Sequence, residues 1–412
     1  MELCIVGGGL CGLTAAAALS EVAQVDLIEK QPLLGGCLSS YHFETYTIER
    51  YYHHFFSGDH HLIDLMNRLG MGHTLEWLKG TTGYYVNGTI YPLSTPLEIL
   101  RYPYLSLLDK ARLALLTLNA RRMDTVALDG MTAEQFVVER YGRNLYRSFF
   151  EPLLASKFGE LKGTVSAAWL VSRIAIRSNR GMKGERLGYL NGGFEELIQR
   201  LSKKATKSSC TITTGTAVTE VQREGDGWRV NGNHYNQVLF TIPPQEVAHL
   251  TGLDFPSIPY QGAACLTLGL DREVTKGIYW LNMKDAAPYG AVVSHTSFVP
   301  RERYGESIIY LASYFTEFPP HNLEERMIEE FCRQFDVARD EIHWHRMAID
   351  RSAGPVYTAG YRDMMTAYYQ HGLYLAGMFS EPNYPERSME GSVRAAENVT
   401  ALIRGSMGYD TN

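Results

Sequence analysis

Three glycines near the N-terminus have a spacing that suits the binding of a dinucleotide. Gly7, Gly9 and Gly12 form the pattern G-x-G-x-x-G between a short apolar run and an alanine-rich stretch. The first glycine allows a tight turn from strand to helix, the second lets the backbone approach a pyrophosphate, and the third lets the helix pack on the strand. Glu29 follows the next apolar run, where its carboxylate can accept hydrogen bonds from a ribose diol. These residues predict a dinucleotide site in which N–H groups of a helix N-terminus face the phosphates.

Two adjacent histidines, His53 and His54, are the best candidates for further chemistry. An imidazole titrates near neutral pH, so it can hydrogen-bond a redox cofactor or move a proton. We predict that His53 contacts the cofactor ring, and His53 is also the one candidate catalytic residue. The alternative is a packed or surface pair of histidines.

The elements that must hold these residues begin with a βαβ unit. Leu3–Val6 and Gln24–Ile28 are predicted to be buried strands, with a helix over Leu10–Leu19 between them. Residues 60–79 have a helical pattern, and a strand is predicted over 216–222. The positions that would support a cofactor therefore lie at the ends of predicted strands.

Two local signals mark the middle of the chain. Asn87-Gly88 predicts a hairpin over residues 84–91, and Thr132 with Gln135 predicts a capping box at a helix start. Residues 256–345 alternate apolar and polar side chains, which is typical of antiparallel strands. This middle region therefore differs in character from the N-terminal βαβ unit.

The C-terminal region bears on which dinucleotide is bound. Gly377 follows a predicted strand, and Met389 and Gly391 open the last predicted helix. The positive end of that helix would stabilise negative charge on a reduced flavin, which NAD does not require. Gly35 and Gly36 follow Glu29 closely, and the chain has no second G-x-G-x-x-G. These observations favour FAD over NAD.

Composition excludes several other classes of protein. The 412 residues carry a net charge of −6, without the basic excess of a nucleic-acid-binding protein. The six cysteines show no metal-ligand spacing, so we predict reduced thiols, no metal site and a cytoplasmic location. No run of 18 apolar residues occurs, so no membrane-spanning helix is expected.

These motifs resemble the flavin amine oxidase and protoporphyrinogen oxidase superfamily, which includes phytoene-desaturase-like enzymes and, more distantly, UDP-galactopyranose mutase. Residues 49–56 resemble the segment that this family places beside the isoalloxazine ring, with His53 and Phe55 in matching positions. Val218 lies in a stretch like the strand whose backbone touches adenine. The predicted cofactor contacts are Gly7, Gly9, Gly12, Glu29, Gly35, Gly36, His53, His54, Val218, Gly377, Met389 and Gly391.

The resemblance implies an α/β fold. A Rossmann-like FAD-binding domain of the amine-oxidase (GR2) type is interleaved with an α+β substrate domain containing an antiparallel sheet and helices. We predict that residues 1–80, 188–255 and 346–412 form the FAD-binding domain, and that residues 81–187 and 256–345 form the substrate domain. The flavin is expected at their interface.

Some positions depart from the family pattern. Met378 replaces the usual acidic residue, residues 261–270 contain no lysine, and no cysteine lies near 378–390. The last departure predicts FAD bound non-covalently. The missing lysine argues against simple amine oxidation.

The resemblance implies an oxidoreductase that passes a hydride from a small organic substrate to flavin N5, with O2 or another acceptor reoxidising the flavin. The substrate would be an amine, a ring or a C–C bond. One alternative is a non-redox mutase, against which Phe56 stands where the mutase has a second histidine. The other is a lipid or isoprenoid desaturase, favoured only if residues 97–118 bind a membrane.

Three further groups have plainer explanations. Residues 97–118 are apolar, and we predict internal packing rather than contact with a membrane surface. For a basic run, a solvated face is predicted rather than a site for a substrate carboxylate or phosphate. For Lys157, in the stretch Pro152–Gly159, a structural ion pair is predicted rather than a catalytic role. The basic run consists of Arg173, Arg177, Arg180, Lys183 and Arg186.

Overall fold

The computed structural model describes residues 1–177 and 185–409, which form two main sheets with helices around them. The helices are α1 (Leu10–Leu19), α2 (His60–Arg68), α3 (Pro96–Arg101), α4 (Leu107–Asn119), α5 (Ala133–Tyr141), α6 (Arg143–Leu145), α7 (Glu151–Phe158), α8 (Ala167–Arg177), α9 (Glu195–Lys207), α10 (Pro244–Thr251), α11 (Leu323–Phe335) and α12 (Met389–Ser406).

The strands are β1 (Glu2–Val6), β2 (Gln24–Ile28), β3 (Ser40–His42), β4 (Thr47–Glu49), β5 (Leu75–Gly80), β6 (Thr82–Val86), β7 (Thr89–Pro92), β8 (Glu185–Leu190), β9 (Cys210–Thr213), β10 (Val221–Glu224), β11 (Gly227–Val230), β12 (Asn233–Tyr235), β13 (Gln237–Phe240), β14 (Tyr260–Leu270), β15 (Trp280–Met283), β16 (Ala291–Ser294), β17 (Ser307–Phe315), β18 (Ile342–Pro355), β19 (Tyr369–Gln370) and β20 (Leu373–Leu375).

The first sheet is mostly parallel and follows the order β19-β20-β13-β1-β2-β9. Its central strand β1 is an apolar run buried on both faces, as parallel strands covered on both sides require. Val6 pairs with Ile28 and Phe240, and Phe240 pairs with Leu375. The carboxyl ends of these four strands therefore meet at one edge, where open α/β sheets bind ligands.

The second sheet follows the order β18-β14-β17-β16-β15-β6-β7 and is antiparallel except for the β15–β6 pair. Helix α11 buries Met327, Phe331 and Phe335 against one of its faces. Its strands β14 and β17 also supply Cys265 and Tyr310 to the core that contains β1. The two sheets thus share buried side chains rather than being joined by a linker.

Several local predictions are confirmed, and two elements differ. Asn87 and Gly88 adopt φ values of 49° and 72° in the β6–β7 turn, and the Thr132–Gln135 capping box forms. The helix predicted over 60–79 ends at Arg68, because Gly70 (φ 73°) turns the chain and β5 pairs with the distant strand β8. The strand predicted over 216–222 begins only at Val221.

The sheets bear on the predicted division into domains. The first sheet takes strands from residues 2–28, 210–213, 237–240 and 369–375, and the second from residues 82–92, 260–315 and 342–355. Strand β18 crosses the predicted boundary at residue 346 and pairs with β14 throughout. The division of the chain into two domains stays a prediction. The structure shows that all of β18 belongs to the second sheet, on both sides of that predicted boundary.

No helix within residues 1–177 and 185–409 combines the length and apolar character that crossing a bilayer requires.

Candidate cofactor site and adjoining cavity

The loop between β1 and α1 holds three glycines for three different reasons. Gly7 has a φ of 110°, and a Cβ there would lie 2.5 Å from Thr241 Oγ1. A side chain at Gly12 would collide with the carbonyl oxygen of Gly7, so close packing requires that glycine. Gly9 has an ordinary φ of −74°, and a Cβ there would meet no described atom within 4 Å. Neither strain nor a protein neighbour explains Gly9, so the open space beside it fits a ligand at the N-terminus of α1.

The second glycine pair lies directly against the first loop. Gly35 forms an isolated parallel β-bridge with Gly9, and the Gly35 N–H donates to the Gly8 carbonyl oxygen at 2.8 Å. Gly35 and Gly36 both have positive φ values, and a Cβ on Gly36 would lie 3.4 Å from Gly9 Cα. The two glycine motifs, separated in sequence, therefore form one side-chain-free surface.

Glu29 lies at the carboxyl end of β2 beside this surface, and it is buried. Its carboxylate accepts the N–H groups of Gly8 and Gln31, each at 2.7 Å. These bonds fix the orientation of the carboxylate, and its remaining lone pairs can accept hydroxyl groups of a ribose. Val218 is partly buried and lies in the irregular segment between β9 and β10. In the same segment, the N–H groups of Gly215 and Thr216 donate to the carbonyl oxygens of Gln31 and Glu29.

The two histidines point to different surroundings. His53 Nδ1 lies 2.8 Å from the Tyr51 carbonyl oxygen; since a carbonyl only accepts, Nδ1 carries the hydrogen and Nε2 presents a lone pair. Burial lowers the pKa of His53 to about 4, so the ring is neutral at pH 7. Yet the residue keeps some accessible surface, as a side chain lining an internal space does. His54 instead hydrogen-bonds the Tyr279 hydroxyl at 2.9 Å and packs among Phe56, Trp280 and Phe298.

Glu49 anchors the segment that carries these histidines, a role that sequence reasoning missed. It is buried, and its carboxylate accepts the Phe194 N–H at 2.6 Å and the Tyr189 hydroxyl at 2.7 Å. Burial raises the pKa of Glu49, opposed by these hydrogen bonds. A Cβ on Gly193 (φ 76°) would lie 2.8 Å from Glu49 Oε1. Adjacent glycines such as Gly192 and Gly193 are typical of a turn, but this pattern does not identify Glu49 as the partner.

The predicted C-terminal contacts lie between the end of β20 and the first turn of α12. The Gly377 N–H donates to Ser380 Oγ at 3.0 Å, and Ser388 caps α12 by accepting the Gly391 N–H at 3.0 Å. A side chain on Gly391 would collide with Asn383, so packing explains this glycine. Met389 is the first residue of α12. Whether Gly377, Met389 and Gly391 contact a flavin stays a prediction.

A cluster of charged side chains lies next to the N-terminus of α12. The sequence alone did not predict that these residues would contact one another. Glu386, with a side chain 9% exposed, pairs with Arg173 at 2.8 Å and with Lys157 at 3.7 Å. Arg387 follows it, with its guanidinium over Gly354, where a side chain would collide. Nearby cations, Lys157 first, hold the pKa of Glu386 below its usual value despite burial. The predicted ion pair of Lys157 is confirmed.

The predicted solvated basic face is only partly present. Arg173 is half-buried and ion-paired, so the prediction is wrong for this residue, because α8 faces the loop that carries Glu386. Arg177 lies 6.0 Å from the Trp280 ring, and exposed Arg186 donates to the Trp77 carbonyl. Arg180 and Lys183 lie outside the described residues.

Lys157 provides a pH-dependent prediction. Burial lowers its pKa from 10.5 to about 7, with Glu386 opposing the shift. Between these values the unfolded chain binds more protons than the folded chain, so this lysine makes the free energy of unfolding rise with pH, by at most about 1.4 kcal/mol per pH unit. We expect wild type to gain stability relative to Lys157→Met as pH rises from 7 toward 10, measured by chemical denaturation. Lys162→Met, which removes an exposed pair with Glu151, is the control. A difference that does not vary with pH would contradict the shift.

A cavity of 680 Å³ opens beside this cluster. Its walls are residues 56–59, Trp77, Arg121, Arg173, Ile176, Glu185, Arg186 and 386–388. It therefore joins the segment after the histidines, helix α8 and the start of α12. Charges of both signs line it, which suits a polar or amphiphilic substrate end.

The glycine surface and the acidic end of β2 on a mostly parallel sheet define a dinucleotide-binding fold. Residues 10–404 match the family described as flavin containing amine oxidoreductase, and the chain belongs to this family. Membership implies a flavin cofactor. The residues present fit FAD, because the open space at Gly9 and the oriented carboxylate of Glu29 suit a pyrophosphate and a ribose.

Solved structures with low sequence identity share the fold. A protein from Exiguobacterium sp. 255-15, provisionally assigned as a protoporphyrinogen oxidase, has a TM-score of 0.78 at 19% identity, covering 98% of this chain and 99% of that one. Reduced UDP-galactopyranose mutase has a TM-score of 0.76 at 18% identity, covering 100% and 96%. Cyclohexylamine oxidase from Brevibacterium oxydans IH-35A has a TM-score of 0.72 at 15% identity, covering 99% of each chain. The predicted α/β fold class is confirmed.

One curated protein matches part of the chain. A zeta-carotene desaturase (chloroplastic/chromoplastic) of Zea mays is 34% identical over an alignment of 126 residues, which covers 27% of this chain and 22% of the desaturase. The match therefore spans about a fifth of that relative's length.

Proposed function

We propose that this chain is an FAD-dependent oxidoreductase that holds FAD non-covalently and oxidises a small organic substrate at a C–H bond. Gly9 carries the proposal: it opens onto empty space at the N-terminus of α1 although nothing in the protein requires a glycine there. Bound FAD would accept a hydride from the substrate at flavin N5, and O2 or another acceptor would take up the electrons. The substrate carbon would lie beside nitrogen, in a ring or in a chain.

The chain's own residues would bind and orient rather than supply a strong acid or base. His53 is neutral and presents Nε2 as an acceptor, so it would orient a donor group on the flavin or the substrate. Arg173 and Arg387 at the cavity can bind polar substrate oxygens, while Glu386 holds Arg173 in place. Aromatic walls around His54 and Tyr279 would exclude water from one side of the segment.

Non-covalent binding is supported by the state of the thiol that follows the second glycine pair. Cys37 directly follows Gly36, and burial raises its pKa to about 12, with Asp350 adding to the shift. The thiolate is the nucleophilic form, so this cysteine stays unreactive at neutral pH.

We expect the purified protein to be yellow and to release intact FAD on heating or acid treatment, because no covalent link retains it. Chromatography of the supernatant against FAD and FMN standards measures this. Released FMN, flavin that stays with the precipitate, or a colourless protein that takes up NAD would each contradict the proposal.

A lipid or isoprenoid desaturase is the second candidate. Its support is the partial match to the Zea mays desaturase and the exposure of several leucines between residues 97 and 118. A mutase-like isomerase is supported only by the similarity in fold to UDP-galactopyranose mutase. Phe56 argues against this function, because it occupies the position of the mutase's second histidine.

Turnover experiments separate these functions. An oxidase consumes O2 and forms peroxide with its substrate. A mutase requires prereduced flavin and shows no net redox change, whereas a desaturase requires a lipid phase or a quinone. Screening metabolites anaerobically for bleaching of the flavin would identify the substrate, and a library that never bleaches it would count against an oxidoreductase.

A further inference from the structure

Helix α4 is apolar on two opposite faces. Leu113 and Leu116 are buried in the core. Leu107, Leu108, Leu115 and Leu118 face outward and are 80%, 59%, 54% and 77% exposed. This spacing forms a continuous stripe along one side of a helix. The prediction of internal packing for residues 97–118 is therefore wrong for the stripe, because α4 packs on the core through its opposite face, which carries Leu113 and Leu116.

Helix α3, which packs against α4, also exposes leucines. Leu97 is 54% exposed and Leu100 is 58% exposed. Within residues 1–177 and 185–409, eight of the fifteen exposed large apolar side chains lie between residues 97 and 126. Single exposed leucines are ordinary, but a cluster of this kind marks an interaction site. We call the six residues Leu97, Leu100, Leu107, Leu108, Leu115 and Leu118 the leucine face.

Positive charge surrounds the leucine face. Arg101 ends α3, and Arg121 and Arg122 follow α4; all three are exposed. Residues 96–126 carry five basic and three acidic side chains, in a chain whose net charge is −6. Of the acidic ones, Asp109 is buried against Ser106, and Glu98 closes the capping box of α3, which leaves Asp124 exposed.

The chain that follows α4 reaches the cavity. Arg121 lines the cavity together with Arg173 and Ile176 of α8, and its Nε donates to the Ala175 carbonyl at 3.4 Å. The C-terminal end of α4 therefore lies close to the candidate substrate site.

We propose that the leucine face binds the surface of an anionic lipid bilayer, with α4 lying in its plane. The apolar side chains are leucines flanked by arginines, as in helices that lie at a membrane interface. Protein interfaces are enriched in arginine as well, but their apolar part favours tryptophan, tyrosine, phenylalanine and methionine, and Tyr104 is the one such residue exposed between residues 96 and 122. The proposal does not depend on the redox function, although it favours a substrate that partitions into lipid.

Sedimentation of the full FAD-loaded chain with phosphatidylcholine vesicles, with and without phosphatidylglycerol, tests the proposal without any substrate. We expect binding to the anionic vesicles that weakens in salt. Each of Leu107→Ser and Leu118→Ser should lower the partition coefficient about tenfold, and the double variant about a hundredfold. Arg121→Gln/Arg122→Gln should weaken binding to anionic vesicles by roughly tenfold or more.

The matched control is Leu402→Ser, which changes a leucine that is 45% exposed on α12. It should bind vesicles like the wild type. Flavin content and circular dichroism should stay unchanged in every variant, because the altered side chains lie outside the core. The proposal would be overturned if wild-type protein sedimented with neither vesicle type, or if the leucine variants bound as tightly as wild type. A dimer in analytical ultracentrifugation that the leucine variants dissociate, without vesicle binding, would identify a subunit interface and also overturn it.

Discussion

Gly9→Val is expected to abolish flavin binding while leaving the fold intact. The valine side chain fits the protein, because Gly9 has an ordinary φ and open space where its Cβ would lie. That space is where the backbone must approach the pyrophosphate. Each hydrogen bond to a charged group contributes about 1.5–3 kcal/mol, so losing two weakens binding by on the order of 10²–10⁴-fold. Flavin absorbance per protein after purification measures the effect.

Gly163→Val is the matched control, because a Cβ at this exposed glycine also meets nothing within 4 Å. It should keep its full complement of flavin. Apo Gly9→Val should unfold at the temperature of apo wild type, which separates cofactor loss from misfolding. Full flavin occupancy in Gly9→Val would show that this loop is not the phosphate site.

His53→Ala is expected to retain FAD but to slow reduction of the flavin by its substrate by on the order of 10²-fold, because Nε2 would no longer orient the donor group that it accepts, and misplacing reacting groups costs about this much in rate. The predicted phosphate and ribose contacts are at Gly9 and Glu29, away from His53, so affinity should change little. Anaerobic stopped-flow spectroscopy measures the rate, and the flavin spectrum should shift as well. Because the pKa of His53 is about 4, the wild-type rate should show no inflection near pH 6.5 from this residue.

His54→Ala is the comparison variant and should have the opposite profile. His54 bonds the hydroxyl of Tyr279, which is buried, so its removal should cost about 1–3 kcal/mol of stability with a near-normal reduction rate. Equal, near-wild-type rates in both variants would mean that residues 49–56 only support packing and that the resemblance of this segment to the family motif has no mechanistic meaning.

The parts of the cofactor site that are local in sequence could be predicted from the residues. The turn at Gly7, the close packing at Gly12 and the carboxylate at the end of β2 each depend on a few neighbouring residues. The hairpin at Asn87-Gly88 and the capping box at Thr132 are predictable for the same reason. In each case a backbone conformation permits few residue types.

The charge cluster at the cavity could not be predicted. Glu386, Arg173 and Lys157 come from three separate segments, and none of them has a distinctive neighbour in sequence. Sequence reasoning found the ion pair of Lys157 only as a general expectation, without its partner. The helix predicted over residues 60–79 failed in the same way, because pairing of β5 with β8 overrode the local helical pattern.

By itself, the sequence determined the class of cofactor and the family, because a glycine loop and an acidic strand end are short-range requirements of binding a dinucleotide. Only the tertiary structure decided which side chains surround the substrate cavity and which leucines stay outside the core. An apolar residue is buried only when another element covers it, and that depends on the order of strands and helices in space. The leucines of α4 are identical in type along the helix, yet packing buries Leu113 and Leu116 and leaves Leu107 and Leu118 exposed.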